Sequence, residues 1–268
     1  MKKIGFYKNL YKDADLKVTQ DLVGYAENQG CKVILFDDEI TDIVDFLVVL
    51  GGDGTVLRAA KFVIGTDIPL LGINLGNVGY LTDVENSQAK NAIDSVLSGN
   101  FKIEERMMLT VNKPDCQFYA LNDIVVHRGA SPRMIECAVS VDGEHMDAFR
   151  ADGLIISTPT GSTAYNLAAG GPVLKPDERM VVITPVCPHS PSARPIVVSI
   201  NESIEAKVAY APIATISFDG VIENQNDVSD AVGEGFSIVI RPSSHFARII
   251  KTNNSSFYEI FRKKMRKV

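Results

Sequence analysis

The sequence predicts two kinds of fold in one chain: a Rossmann-like N-terminal α/β domain, then an all-β, sandwich-like C-terminal domain. Three observations carry this. Strand and helix periodicities alternate up to Asn100, β-type runs dominate beyond Phe101, and 268 residues suffice for more than one core.

Residues 4–7 read as a short strand, and Leu16, Val18, Leu22, Val23 and Ala26 then recur at helical spacing before Gly30, a C-cap. Residues 31–36 are a second strand. The run Phe46-Leu47-Val48-Val49-Leu50 is apolar throughout, as expected of a strand covered on both faces, and it ends in Gly51-Gly52. A helix is expected over 55–64, a strand over 69–73 and a helix over about 87–98, where Ala89, Ile93, Val96 and Leu97 share one face and Gly99 closes it. Strand and helix in turn imply a parallel sheet with right-handed crossovers.

The second domain is read from β-type runs at 107–111, 118–126, 134–141, 154–157, 181–184, 196–200, 204–210, 214–218 and 236–240, interrupted by one helix. Asp142-Gly143, set between alternating runs, is a hairpin signal. The expected boundaries are 1–105 and 106–245. The tail, Phe257 to Phe261 followed by Arg262, Lys263, Lys264, Arg266 and Lys267, reads as a short amphipathic helix or, with more weight, as a solvated terminal turn.

Composition narrows the function classes. Twenty-seven Lys and Arg against 33 Asp and Glu leave a charge of −6, which disfavours nucleic acid or an anionic membrane as a general partner. Cys31, Cys116, Cys137 and Cys187 form no C-x-x-C pair, and the N-terminus lacks the apolar segment of a signal peptide, so a reduced, cytoplasmic protein is expected. Residues 155–174 are uncharged and long enough to span a bilayer. Pro159, Pro172, Gly161, Gly170, Gly171 and the hydroxyl side chains among them argue against that.

Three constellations carry chemistry. Gly51-Gly52-Asp53-Gly54-Thr55 follows the most apolar strand and opens a helix. Its glycines let the backbone approach phosphate oxygens, and helix-start amides present partial positive charge. A carboxylate there serves a cation, takes a proton from a nucleophile, or simply caps the helix as Asp53 could. Neither G-x-G-x-x-G nor the P-loop pattern fits these positions. From Asp152 to Pro172 a strand breaks into a hydroxyl-rich turn and a short helix, a surface suited to a heterocycle and its sugar or simply a capped turn. Asn122-Asp123 sets two polar residues in an apolar strand run, where a ligand or a buried hydrogen-bond network must satisfy them.

These motifs, together with Gly72-Ile73-Asn74-Leu75-Gly76-Asn77-Val78-Gly79-Tyr80-Leu81 and Pro188-His189-Ser190 leading to Ser192-Ala193-Arg194-Pro195-Ile196-Val197, resemble in order the signature elements of the NAD kinase family. The resemblance covers most of the chain. The first pentapeptide is shared with lipid kinases and phosphofructokinases, whereas the run from Asp152 is far more specific. What it implies is transfer of a phosphate from ATP, or from inorganic polyphosphate, to the 2′-hydroxyl of the adenosine ribose of NAD, giving NADP.

By that resemblance Asp53 is the general base, and Gly51, Gly52, Gly54 and Thr55 form the phosphate-binding loop, Gly54 also lying against the ribose. Asn122 and Asp123 bind NAD, while Asp152, Thr163, Ala164 and Tyr165 help form the base pocket. Thr160 and Ala168 are further NAD contacts, Arg133 and Arg150 touch the nucleotide, and Arg58 is a lesser phosphate candidate. No clustered Asp, Glu or His set offers a protein cage, so the divalent cation is expected to be Mg2+ carried with ATP. The resemblance also implies a homo-oligomer, often a tetramer; an active site between the domains; and a tail, 246–268, that returns to the first domain. The chain departs from the common pattern at Asp219-Gly220-Val221, where many relatives continue with Gln. The alternatives are a lipid kinase of the diacylglycerol or sphingosine type, whose second motif resembles Gly-Thr-Gly-Asn-Asp rather than the Leu75-Gly76-Asn77 found here, and a non-catalytic NAD-binding regulator.

His127, His145, His189 and His245 lack metal-ligand spacing and are expected in structural or surface roles. Cys187 and His189 sit among prolines and read as loop rather than dyad, and Met107 and Met108 as core.

Overall fold

The computed structural model describes residues 1–37, 40–77, 79–112, 116–211, 213–222, 233–253 and 255–266. Val78 of the second motif and Lys267 of the basic tail lie outside them. The chain divides into two compact units, Met1–Arg106 with Ala247–Val268, and Met107–Phe246.

The first unit contains β1 (Lys3–Tyr7), α1 (Lys17–Asn28), β2 (Lys32–Phe36), β3 (Phe46–Gly51), α2 (Asp53–Phe62), β4 (Leu70–Asn74), β5 (Val84–Glu85) and α3 (Ala89–Leu97), and β6 (Lys102–Asn112) leads out of it. Its parallel strands run in the order β4-β3-β1-β2, with Ile4 opposite Phe46, Gly5 opposite Ile34 and Val49 opposite Gly72. Every residue of β3 is buried, as its unbroken apolar run predicts. Leu22 and Ala26 of α1 and Ala89, Ile93 and Val96 of α3 pack with Ile4, Phe6, Val48 and Ile73 in one core. Helix α2 begins two residues earlier than its apolar pattern suggests. Gly52 is its N-cap and Asp53 its first helical residue, so the capping role considered for Asp53 belongs to Gly52.

The second unit contains β7 (Gln117–Ala120), β8 (Asp123–His127), β9 (Ile135–Val141), β10 (Glu144–Ala151), β11 (Gly153–Ser157), α4 (Tyr165–Ala168), β12 (Met180–Val186), β13 (Ile196–Ser199), β14 (Ile204–Tyr210), β15 (Thr215–Phe218) and most of β16 (Ser237–Lys251). An antiparallel sheet of order β13-β12-β11-β8-β15 faces the antiparallel set β10-β9-β14-β16 across a shared core, in which Ile124, Ile156 and Ile183 of one meet Val139, Ile204 and Ile240 of the other. Asp142 and Gly143 close the expected hairpin. Met107 and Met108 are buried. Chain order ends with α5 (Phe257–Met265), which belongs to the first unit.

Four expectations need correction. The run 118–126 is two strands, because the Asp219 carboxylate accepts the N–H groups of Leu121, Asn122 and Asp123 at 3.0, 2.6 and 3.2 Å and takes them out of the ladder. β10 is absent from the sequence reading because its apolar residues are sparse, with only Phe149 and Ala151 buried. β16 continues well past Ile240, where Pro242, a buried Ser243 and an exposed Phe246 break the apolar alternation. The tail is a helix rather than a solvated turn: the Ser256 hydroxyl accepts the Glu259 N–H, Glu259 accepts the Ser256 N–H, and Ile260 is buried.

Within the first unit Lys251 Nζ lies 3.1 Å from Asp83 Oδ2, with both side chains at least nine-tenths buried, as an ion pair rather than an aligned hydrogen bond. Removing one partner strands the other charge. Lys251→Ala should therefore cost about 3–5 kcal/mol in a urea melt; a loss below about 1 kcal/mol, typical of a surface pair, would contradict this account.

Candidate active site

In the first unit, β3 ends at Gly51 and α2 starts at Asp53, so the carboxylate stands at the C-terminal edge of a parallel sheet, where α/β folds commonly bind ligands. Asp53 is heavily engaged. Oδ1 accepts the N–H groups of Leu81 and Thr82 at 3.0 and 3.1 Å and the Thr82 hydroxyl at 3.0 Å, and Oδ2 accepts the Tyr80 N–H at 2.9 Å. Backbone donors in a loop need acceptors, and a carboxylate supplies several at once. Gly79 lets this happen, because a Cβ there would lie 1.8 Å from Asp53 Oδ1. Asn74, buried at the end of β4, holds the same loop from beneath, its Nδ2 donating to Thr82 Oγ1 at 2.8 Å and its Oδ1 accepting the Gly76 N–H at 2.6 Å.

Two ammonium groups unforeseen in the sequence reading stand at this turn. Lys264 Nζ of α5 is 3.5 Å from Asp53 Oδ2 and 4.3 Å from the centre of the Tyr80 ring. Lys12 Nζ lies 2.8 Å from the position a Cβ on Gly52 would take. Burial, first, and the Asp53 charge, second, raise the Tyr80 phenol above its ordinary value. Thr55 accepts the Asn9 side-chain amide at 2.9 Å, and Arg58 is exposed, facing a separate hollow lined by Lys8, Asn9, Tyr11 and Asp37. Gly54 is exposed at the start of α2.

The second unit holds a cavity of about 690 Å³, lined among others by Asn122, Asp123, Asp152, Ala164 and Tyr165, five of the residues singled out by sequence. Strand alternation builds its wall: Ile124 and Val126 of β8 enter the core, while Asp123, Val125 and His127 line the cavity. The hydroxyl-rich turn is folded against the break between β7 and β8, Thr158 donating its N–H to Asn122 O at 2.8 Å and its hydroxyl to Leu121 O at 2.6 Å. Asn166 locks the following turn, accepting the Thr184 hydroxyl at 2.6 Å and donating to Pro172 O at 3.0 Å.

Charge in the cavity is mostly acidic. Burial pushes the Asp123 carboxyl up to about 7, and the neighbouring Asp219 charge adds to the effect. Asp152 Oδ1 accepts the Arg128 Nε–H at 2.8 Å at the surface of the cavity. Tyr165, 45% exposed, offers a ring on which a base can stack, and burial, then the Cys187, Asp152 and Asp123 charges, raise its phenol.

Not every predicted residue lines this cavity. Thr163 and Ala168 flank it in sequence, with the Thr163 hydroxyl on Thr160 O at 3.2 Å; Thr160 is buried with its hydroxyl unpaired; Arg133 and Arg150 are exposed. Among the residues not singled out as contacts, His127 lines the cavity, its Nδ1 accepting the Gly129 N–H at 3.2 Å and burial lowering its basicity. Ser217, Arg128 and Cys187 line it too. Alternation from Asp123 could have found His127, which Arg128 follows directly; Ser217 and Cys187 come from distant parts of the chain.

Residues 9–101 match the family model described as the ATP-NAD kinase N-terminal domain, and residues 121–251 that of the ATP-NAD kinase C-terminal domain. The NAD kinase of Caldanaerobacter subterraneus subsp. tengcongensis is 37% identical over 286 aligned residues, covering 99% of each chain. That of Syntrophotalea carbinolica is 35% identical over 285, covering 99% of this chain and 98% of the relative. Among solved structures, yeast NADH kinase complexed with NADH superposes with a TM-score of 0.83 at 25% identity, over 99% of this chain and 88% of that one. An Archaeoglobus fulgidus NAD kinase in complex with ATP gives 0.78 at 27%, over 99% and 98%.

The Asp123 shift has a thermodynamic consequence. Its folded-state value, about 7, lies above the roughly 3.9 of an unfolded Asp, so its stabilisation is complete below about pH 4 and is lost as pH rises through 7. Between pH 5 and 8 the Tm of the wild type should fall more steeply than that of Asp123→Asn, which cannot ionise. Parallel Tm profiles would contradict the assignment.

Proposed function

The chain belongs to the NAD kinase family, and we propose that it transfers the terminal phosphate of ATP to the 2′-hydroxyl of the adenosine ribose of NAD. The observation that carries this reading is the Asp53 carboxylate at the glycine turn. Its Oδ1 is saturated by loop 79–82, whereas Oδ2 accepts one backbone N–H and keeps a lone pair within reach of a hydroxyl proton once Lys264 yields. Asp53 is then the general base, and Gly51, Gly52, Gly54 and Thr55 are the phosphate-facing turn, with Arg58 a lesser contact.

The second unit supplies the dinucleotide pocket. Asn122 and Asp123 hold ribose hydroxyls and adenine. Tyr165 stacks on a base with Ala164 beside it, and Asp152 accepts from it at the cavity surface. Thr160, Thr163, Ala168, Arg133 and Arg150 are outlying contacts of the same ligand. ATP is the donor we favour over inorganic polyphosphate. Among the described residues no three His, Cys, Asp or Glu side chains converge as a metal site, so we propose that Mg2+ arrives on the donor phosphates, where it neutralises their charge. A homo-oligomer is part of the proposal, supported by the symmetry habit of soluble enzymes and by β13, an edge strand with Val197 exposed. A cytoplasmic setting is proposed as well, supported by four unpaired cysteines. No helix among the described residues is long and apolar enough to cross a membrane.

Asp53→Asn tests the reading. An Asn amide cannot replace both oxygens as acceptors, so Tm should fall through the loop whatever the chemistry. The catalytic role is read from the split: NADP formation should lose about 10²–10⁴ in kcat while NAD affinity holds within several-fold. A folded variant with lowered Tm and near-normal kcat would leave Asp53 as a loop clamp only.

A further inference from the structure

Lys264 has so far been only the group that must yield Asp53 Oδ2. Its helix is capped by Ser256 and Glu259 and seated by Phe257, whose ring centre is 6.0 Å from that of Tyr80, so the ammonium reaches Asp53 from an ordered element. Asp53 does not require it for satisfaction, because Tyr80, Leu81 and Thr82 already provide four hydrogen bonds. The pair is also partly solvated, with side chains 34% and 29% exposed, where ion pairs add little to folding. Yet the ammonium sits on Oδ2, the oxygen whose lone pair a hydroxyl proton needs, and the Tyr80 ring at 4.3 Å supports its other side.

We propose that Lys264 is a positioning residue for phosphoryl transfer: it holds Asp53 Oδ2 until the terminal phosphate of the donor arrives, then turns to that phosphate as its charge partner and frees Oδ2. The inference rests on the reading of Asp53 as base. In the step, the 2′-oxygen bonds to the terminal phosphorus, the bond from that phosphorus to its bridging oxygen breaks, ADP departs with that electron pair, and the hydroxyl proton passes to Oδ2. Lys264 stays an ammonium throughout. A phosphate carries more charge and more acceptor oxygens than a carboxylate already bonded to four donors, so it competes well for the same N–H groups. Lys12 at Gly52 gives the turn a second cation.

The test compares Lys264→Met, which keeps the stem and removes the charge, with Lys264→Arg, and uses Lys263→Met on the same helix as control. For Lys264→Met, kcat should fall about 10²-fold and KM for ATP should rise. Calorimetry should find inorganic tripolyphosphate bound several-fold more weakly, and NAD affinity should be unchanged. Lys264→Arg should recover most of the kcat, and Lys263→Met should match wild type. The proposal is overturned if Lys264→Met keeps kcat within twofold, if arginine fails to rescue, or if tripolyphosphate binds the Met variant as tightly as wild type. A wild type that makes no NADP would defeat the Asp53 reading instead, and the tripolyphosphate titration would still decide whether Lys264 meets the anion.

Discussion

The carboxylate of Asp53 accepts hydrogen bonds from three consecutive backbone N–H groups and one hydroxyl, all in residues 80–82. Much else in the first unit follows from this contact. Loop amides with few backbone partners are costly to bury, so the loop takes its shape from the acceptor offered to it. Residue 79 must lack a Cβ to admit the carboxylate, and Asn74 must fill the space beneath. From the opposite side Lys251 bonds Tyr80 O at 3.4 Å while pairing with Asp83, so the segment is gripped by an anion and a cation. A carboxylate so held has a fixed direction, which a base aimed at one hydroxyl requires.

A second aspartate does comparable work in the other unit. Asp219, in a left-handed backbone conformation, gathers the N–H groups of Leu121, Asn122 and Asp123 and ends β7 before β8 begins. The interruption turns Asn122 and Asp123 toward the cavity rather than into a continuous ladder. Burial raises the proton affinity of Asp123, and the negative charge that Asp219 places beside it adds to the effect. Both halves of the proposed chemistry thus depend on loops shaped by carboxylates.

The sequence was legible where a pattern is local. The apolar run of β3, the face of α3, the Asp142-Gly143 turn and the order of the glycine and hydroxyl motifs each depend on near neighbours, and each appears in the fold. Asp53 could be singled out because its turn is compact. Its loop partners could not be foreseen, since three of the four donors are backbone amides 27 to 29 residues away. Asp219 acts across 96 to 98 residues and left only a motif with an unusual third position. α5 was hidden for another reason: with only Ile260 buried among its described residues, its pattern resembles that of a solvated end. β10 was obscured because few of its residues are apolar, and β16 because a buried Ser243 and an exposed Phe246 break its pattern; the packing that selects strand there is tertiary.

On the proposed reading, a chain with these two aspartate-shaped loops phosphorylates one hydroxyl of one dinucleotide. The direct measurement is phosphorus NMR of the products formed when the purified wild-type protein is incubated with NAD, ATP and Mg2+. The account predicts ADP and NADP in equal amounts, with a single new phosphomonoester on the 2′-oxygen of the adenosine ribose. ATP consumed without NADP, or a phosphate found on any other oxygen, would contradict it.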